Sequence, residues 1–356
     1  MKKLTAIIVL ILVLTINVQA TELVDMSTVD LSVASDFLYD SNADISSPES
    51  VKNVTASSLI EYVVSVFKNG LLAPLKLFLT VSVVALICQI SVSMSTKSGV
   101  FGEVFTIICF LCISPNIISS FKAVATYVNA QQAFVLSYVP AFATITASSG
   151  NVPAATSYNA ILLYVSQIIT AVLTFIIKPI LACILVLACV QAINPNTPNI
   201  TSALKRAVTT ILGVIMTIFV SIIGIQTTVG AGTTNTAFKV GKYLVSSFVP
   251  IIGVSLSESY KTVMSSICIM KSSIGAFGII ITFVILAVPI ISMLTYKLCF
   301  ILCEWLCRLC GASGQAILMK GLADAYSLYI TILIIYGLMF IISTGIIIFV
   351  GSGGFV

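Results

Sequence analysis

The sequence predicts an all-α, polytopic transmembrane helical bundle of about seven spans, roughly six to eight, behind a cleaved N-terminal signal peptide and a short extracytoplasmic arm. Three observations carry that expectation. Charged residues make up 8% of the 356 and the apolar set 59%, with a mean hydropathy of +1.16, whereas soluble domains are about a quarter charged. Uncharged stretches cover 77–96, 104–121, 123–177, 179–204, 207–238, 272–296 and 325–356, and about 20 apolar residues in a helix cross a hydrocarbon core of about 30 Å. The runs are continuously apolar and do not alternate at period two. That argues against a β-barrel and leaves helices, because backbone amides in lipid must be satisfied internally.

The chain divides into residues 1–20, 21–55 and 56–356. Lys2 and Lys3 precede the apolar core Ala6–Ile16, and Val18-Gln19-Ala20 is a small-x-small cleavage site. This is the layout of a secretory signal cut between Ala20 and Thr21, and its apolar core is short for a span. Residues 21–51 then carry seven acids (Glu22, Asp25, Asp30, Asp36, Asp40, Asp44, Glu49) and no Lys or Arg. Such a segment reads as a solvated acidic arm outside the cytoplasm, either a tether or a dock for a basic partner.

The membrane domain opens with an amphipathic helix over Ala56–Asn69, with Leu59, Ile60, Val63, Val64, Val66 and Phe67 set against Glu61 and Lys68. Spans are expected at Leu71–Ser93, Phe101–Phe121 and about Val124–Thr146, the last stopped by Ser148-Ser149-Gly150-Asn151-Val152-Pro153. Residues 157–193 are too long for one crossing, and Lys178-Pro179 interrupts them. Two short spans turning there are expected, rather than one kinked helix. After Pro195-Asn196 and Pro198 a span follows at about Ala207–Thr228. Residues 230–273, with Lys239, Lys242, Lys261, Lys271, Glu258 and a short apolar piece broken by Pro250 and Gly253, read as re-entrant or interfacial. A span at Ile274–Leu294, a Cys-rich amphipathic helix to Cys310, a turn at Gly311–Gly314 and a last span at about Ala325–Val350 complete the chain. An exterior N-terminus places Lys97, Lys205 and Arg206 inside but leaves Lys239, Lys242, Lys261 and Lys271 outside, against the positive-inside tendency.

Several functions are disfavoured at once. The chain has no histidine, which removes His-based acid–base chemistry, Ser-His-Asp and Cys-His nucleophiles, and the H-E-x-x-H zinc site. It has no Walker-type phosphate loop and no basic block interleaved with aromatics, so neither its own ATP hydrolysis nor nucleic-acid binding is expected. Neither catalytic residues nor a cofactor or metal site are assigned. Ten cysteines include Cys109-Phe-Leu-Cys112 and the run Cys299, Cys303, Cys307, Cys310 along one helix face. Free thiols pack in lipid as small hydrophobes; a redox or metal role would require charged thiolates to converge there.

Intramembrane ionisable residues are the stronger leads, because each must be paired or wet. Glu103 and Lys178 are candidates for interface anchoring or for lining a polar path. Glu304 and Arg308, spaced i, i+4, can satisfy each other.

The chain also carries Gly70-Leu-Leu-Ala-Pro-Leu-Lys76, Ala147-Ser-Ser-Gly150, Gly224-Ile-Gln-Thr-Thr228, Ala237-Phe-Lys-Val240 and Phe248-Val-Pro-Ile-Ile-Gly253, in that order. From about Ala56 to the C-terminus it resembles the stage III sporulation protein AE family of endospore-forming bacteria. That resemblance implies a multi-pass protein of the mother-cell membrane surrounding the forespore. It also implies a multi-protein complex with the other membrane proteins of the same sporulation operon and a forespore membrane partner. The implied function is non-enzymatic: a component of the mother cell–forespore channel, or feeding tube, needed for late forespore gene expression and spore maturation. The alternative is a secondary transporter for a small solute, suggested by breaks at Pro179 and Pro250.

Overall fold

The structure is a computed structural model that describes residues 56–93, 98–148, 152–172, 175, 178–194, 200–222 and 253–352. The signal peptide with its Ala20–Thr21 junction, the acidic arm, the Gly/Thr-rich run after Gly224 and the re-entrant reading of 230–252 all lie outside the described residues. The described residues form eight helices: α1 (Ala56–Gly70), α2 (Leu72–Ser93), α3 (Ser98–Ser148), α4 (Val152–Ala171), α5 (Lys178–Ile193), α6 (Ile200–Ile222), α7 (Gly253–Leu309) and α8 (Ser313–Ser352). No strand occurs among them.

The bundle is long because three of its helices are. At 1.5 Å per residue the 51 residues of α3 extend about 75 Å, the 57 of α7 about 85 Å and the 40 of α8 about 60 Å. Two apolar cores lie in series along them. The first joins Leu77, Val81 and Ala85 of α2, Cys109–Val128 of α3, Leu181–Ala192 of α5, Leu286–Cys307 of α7 and Ala312–Tyr336, which takes in most of α8. The second joins Phe134–Ile145 of α3, Ala155–Leu162 of α4, Ile274–Ile285 of α7 and Phe340 and Ile347 of α8. Leu59 and Tyr62 of α1 pack on this second core, so the described chain enters at that end.

Contacts along α8 give the direction of each pass. Ser120 Oγ lies 2.6 Å from Tyr326 Oη and Phe134 stacks near Phe340, so α3 runs parallel to α8. Gly275 packs on Ile348, Gly337 on Leu286, and Lys297 Nζ donates to Ser327 Oγ at 3.5 Å, so α7 is antiparallel. The α7–α8 turn is closed by Gly311 at φ 76°, with Ala312 N donating to Cys307 O at 2.8 Å and Gly311 N to Arg308 O at 3.1 Å. This is the left-handed helix cap that glycine adopts without a Cβ clash. Counting α1–α2 and α4–α5 each as one, the described helices make six passes: α1–α2, α3, α4–α5, α6, α7 and α8.

Several expectations are corrected. Phe101–Phe121 and Val124–Thr146 are one helix, α3, that continues through exposed Lys122 and contains Pro115 and Pro140. Lys122 looked like a boundary, but a long helix tolerates a lysine that reaches outward. Lys178-Pro179 does separate two helices, yet the chain does not turn back. Tyr158 meets Thr344, Ser166 meets Tyr336, Ala188 meets Gly321 and Ala192 meets Gly314, a monotonic descent along α8. Residues 253–273 are the start of α7 and not a re-entrant piece, and the same helix absorbs the expected span at Ile274–Leu294 and the Cys-rich segment. The last helix starts at Ser313, ahead of Ala325. Among the described residues, against about seven expected spans, five stretches are long and apolar enough to cross a membrane: Ser57–Ser91, Gly102–Ser148, Ile200–Ile222, Ser265–Leu309 and Ser313–Ile348. Each missed join sits at a charge or a proline, where local sequence signals a stop and packing along α8 overrides it.

Candidate functional site

Lys320, Asp324 and Ser327 recur at i, i+4 and i+7 and therefore share one side of α8. Neighbouring helices bring polar groups to that side. From α6, Lys205 Nζ reaches Asp324 Oδ1 at 2.6 Å and Ser202 Oγ donates to Asp324 Oδ2 at 3.5 Å. From α7, Lys297 Nζ donates to Ser327 Oγ at 3.5 Å. Thr201 Oγ1 donates to Gln191 Oε1 at 2.9 Å and ties the start of α6 to α5 beside the cluster.

The charge balance of this cluster is uneven. Lys205, Lys297 and Lys320 supply three positive charges and Asp324 one negative, which leaves two positive charges over. Asp324 is satisfied by Lys205 and Ser202, while Lys297 meets a hydroxyl and Lys320 is exposed. Chemically the arrangement pins α6 to α8 and offers ammonium groups to an anionic group. The bundle is filled along its length: Phe300 and Tyr326 in the first core and Phe134, Tyr138, Phe142 and Phe340 in the second are almost wholly buried. Buried hydroxyls there are bonded across helices, as in Tyr138 Oη to Ile274 O at 2.8 Å and Tyr158 Oη with Thr344 Oγ1 at 3.0 Å.

The four candidates named from sequence fall in different places. Glu304 and Arg308 form the expected pair, with Arg308 Nη2 at 2.8 Å and Nε at 3.1 Å from Glu304 Oε1. Glu103 is exposed, one turn before Thr106, which packs on Gly314 at the far end of α8 from the second core. Lys178 opens α5. The structure brings Glu304 and Arg308 together and leaves Glu103 apart from the Asp324 cluster.

Asp324 and Lys205 were missed. The usable signal was that Asp324 is the lone acid after Glu304, four residues beyond Lys320. Its place at the edge of the charge-free run starting at 325 makes it read as a span boundary. Lys271 of α7 was also missed: its side chain is buried and its Nζ has no hydrogen-bond partner. Of the cysteines, Cys299, Cys303 and Cys307 face the first core, and Cys299 Sγ donates to Pro74 O at 3.1 Å. The C-x-x-C pair is split, Cys109 inward and Cys112 outward. Among the described residues no group of three or more His, Cys, Asp or Glu side chains is placed to hold a metal ion.

The family described as Stage III sporulation protein AE matches residues 45–351 of this chain. Stage III sporulation protein AE of Bacillus subtilis (strain 168) is 23% identical over 295 residues, covering 81% of this chain and 73% of that protein. No solved structure matches the chain.

Proposed function

The chain belongs to the stage III sporulation protein AE family, and from that premise we propose that it is a non-enzymatic membrane subunit of the mother cell–forespore channel apparatus. It would reside in the mother-cell membrane around the forespore, alongside the other membrane proteins of its operon and a forespore membrane partner. Family membership makes it a sporulation protein, and its long apolar helices support a membrane location.

One observation carries the step to a subunit of a larger assembly. The apolar stretch Ser313–Ile348 is 36 residues long, about 54 Å as helix, against a hydrocarbon core of about 30 Å. Large side chains stay exposed beyond that thickness, from Leu79, Leu86 and Ile90 on α2 to Leu302 and Trp305 on α7. An apolar surface longer than one bilayer supports the reading that protein covers part of it. The filled axis of the bundle also favours a conduit formed between subunits over one bored through a single chain.

The test is genetic and biochemical together. A deletion strain should complete engulfment and then fail in spore maturation, and the tagged protein should co-purify with sister operon products. Saturable, ion-coupled uptake by the reconstituted chain alone would instead favour the secondary transporter, a reading that the helix break at Lys178-Pro179 and the buried Lys271 support.

A further inference from the structure

Five of the six passes bring a basic residue to one level of the bundle. On α8 the level is marked by Lys320 and Asp324. Lys205 of α6 bonds Asp324, and Arg206 follows it. Lys297 of α7 bonds Ser327. Lys122 of α3 adjoins Phe121, whose ring lies 5.3 Å from Tyr326 and 4.5 Å from Tyr329. Lys76 of α2 lies two residues past Pro74, whose carbonyl takes the Cys299 thiol just beyond Lys297. On α5, Ala188 packs on Gly321 at this level, and Lys178 lies ten residues, about 15 Å, away from it toward the second core. Against the six bases Lys76, Lys122, Lys205, Arg206, Lys297 and Lys320 the described residues at this level supply one acid, Asp324. Lys76, Lys122, Arg206 and Lys320 are exposed.

The two sides of this belt differ. Toward the second core α3, α7 and α8 are charge-free over 123–148, 272–296 and 325–352, about 25 residues or 37 Å, a bilayer's thickness, while α1 carries exposed Glu61 and Lys68 on its outer side. Toward the first core α7 ends at Leu309, about 18 Å past Lys297, too short to cross. That short side holds eight of the ten thiols (Cys88, Cys109, Cys112, Cys189, Cys299, Cys303, Cys307, Cys310), and no disulfide joins them. The acid-only segment 21–51 adjoins α1, which enters at the opposite end.

The geometry points to a headgroup-binding surface: the belt of Lys76, Lys122, Arg206 and Lys320, with Lys205 and Lys297 beside it, binds the phosphates of anionic phospholipids in the cytoplasmic leaflet. The half around the second core then crosses the bilayer, and the thiol-rich half projects past it toward the reducing cytoplasm. Positive charge collects on the cytoplasmic side of membrane proteins and is drawn by anionic lipid there. Unpaired thiols belong to that compartment. Lys271 lies at the other end but is buried and offers nothing to a headgroup. This inference is independent of the channel reading.

The test reconstitutes the full mature chain in nanodiscs of phosphatidylcholine, with or without phosphatidylglycerol. Melting temperature should rise with phosphatidylglycerol, and Lys76→Gln/Lys122→Gln/Lys320→Gln should lose at least half of that rise. Should the triple variant fail to fold, Lys122→Gln alone should lose a measurable part. Inorganic phosphate added to the phosphatidylcholine discs should not reproduce the rise. In sealed vesicles an impermeant maleimide should label Cys310 from the cytoplasmic face and Val152→Cys from the other. Equal melting in both lipids, a rise given equally by free phosphate, or labelling of Cys310 from outside would overturn the assignment.

Discussion

Lys205 Nζ and Asp324 Oδ1 stand 2.6 Å apart, a link between α6 and α8 across 119 residues of sequence. Their side chains are 32% and 16% exposed, so the pair is neither fully wet nor sealed. Removing one partner strands the other ion beside an apolar wall. Asp324→Ala should cost about 1–2 kcal/mol, a buried-pair penalty discounted for partial exposure. The double change Lys205→Met/Asp324→Leu should recover most of that. Melting of the two single variants and the double in nanodiscs checks this, and strictly additive losses would show that the pair is not coupled.

Gly278 of α7 sits against the ring of Tyr138, where a Cβ would overlap the phenol. Tyr138 is buried and its hydroxyl is held by Ile274 O at 2.8 Å, so it cannot retreat. Gly278→Ala should therefore lose about 1–3 kcal/mol. Gly345→Ala on α8 meets open space and should be neutral or gain up to about 1 kcal/mol from helix propensity. Equal melting of the two variants would mean that α3 and α7 do not pack this closely.

The helical membrane class was legible from charge-free runs alone, because lipid permits few alternatives to a helix. Local chemistry was legible too: α1 starts at Ala56 as its amphipathic pattern implied, and Glu304 pairs with Arg308 at helical spacing. Continuity was not legible. Lys122 and Pro289 sit inside helices, and the break at Lys178 does not reverse the chain. Such choices depend on what runs alongside, here α8, and no local pattern encodes that. Asp324 stayed hidden for the same reason, since its partner Lys205 is distant in sequence.

The cysteines test the packing reading. Cys109 faces the core and Cys112 faces out, so they do not act as a dithiol unit. Cys109→Ala/Cys112→Ala should support sporulation at the wild-type level, with a stability loss of about 1 kcal/mol from the small cavity at Cys109. Spore counts and melting together decide it; lost sporulation with unchanged melting would point to thiol chemistry instead.

Exposure separates the remaining acidic candidates. In the Glu304–Arg308 pair the arginine is 57% exposed and the glutamate 15%. Glu304→Gln should change stability by less than about 1 kcal/mol. Glu103 stands exposed near the start of α3. If it faces a polar path, Glu103→Gln should lower spore yield while melting stays constant. Wild-type spore yield from that variant would remove Glu103 from any path.

The continuity of α3 separates this fold from one with an extra hairpin, and it is open to direct measurement. Glu103→Cys and Ser148→Cys lie near the two ends of that helix, both exposed. Impermeant labelling in sealed vesicles, read peptide by peptide, should modify the two from opposite faces of the membrane. Modification of both from the same face would mean that the chain turns back between them, and the six-pass bundle would be wrong.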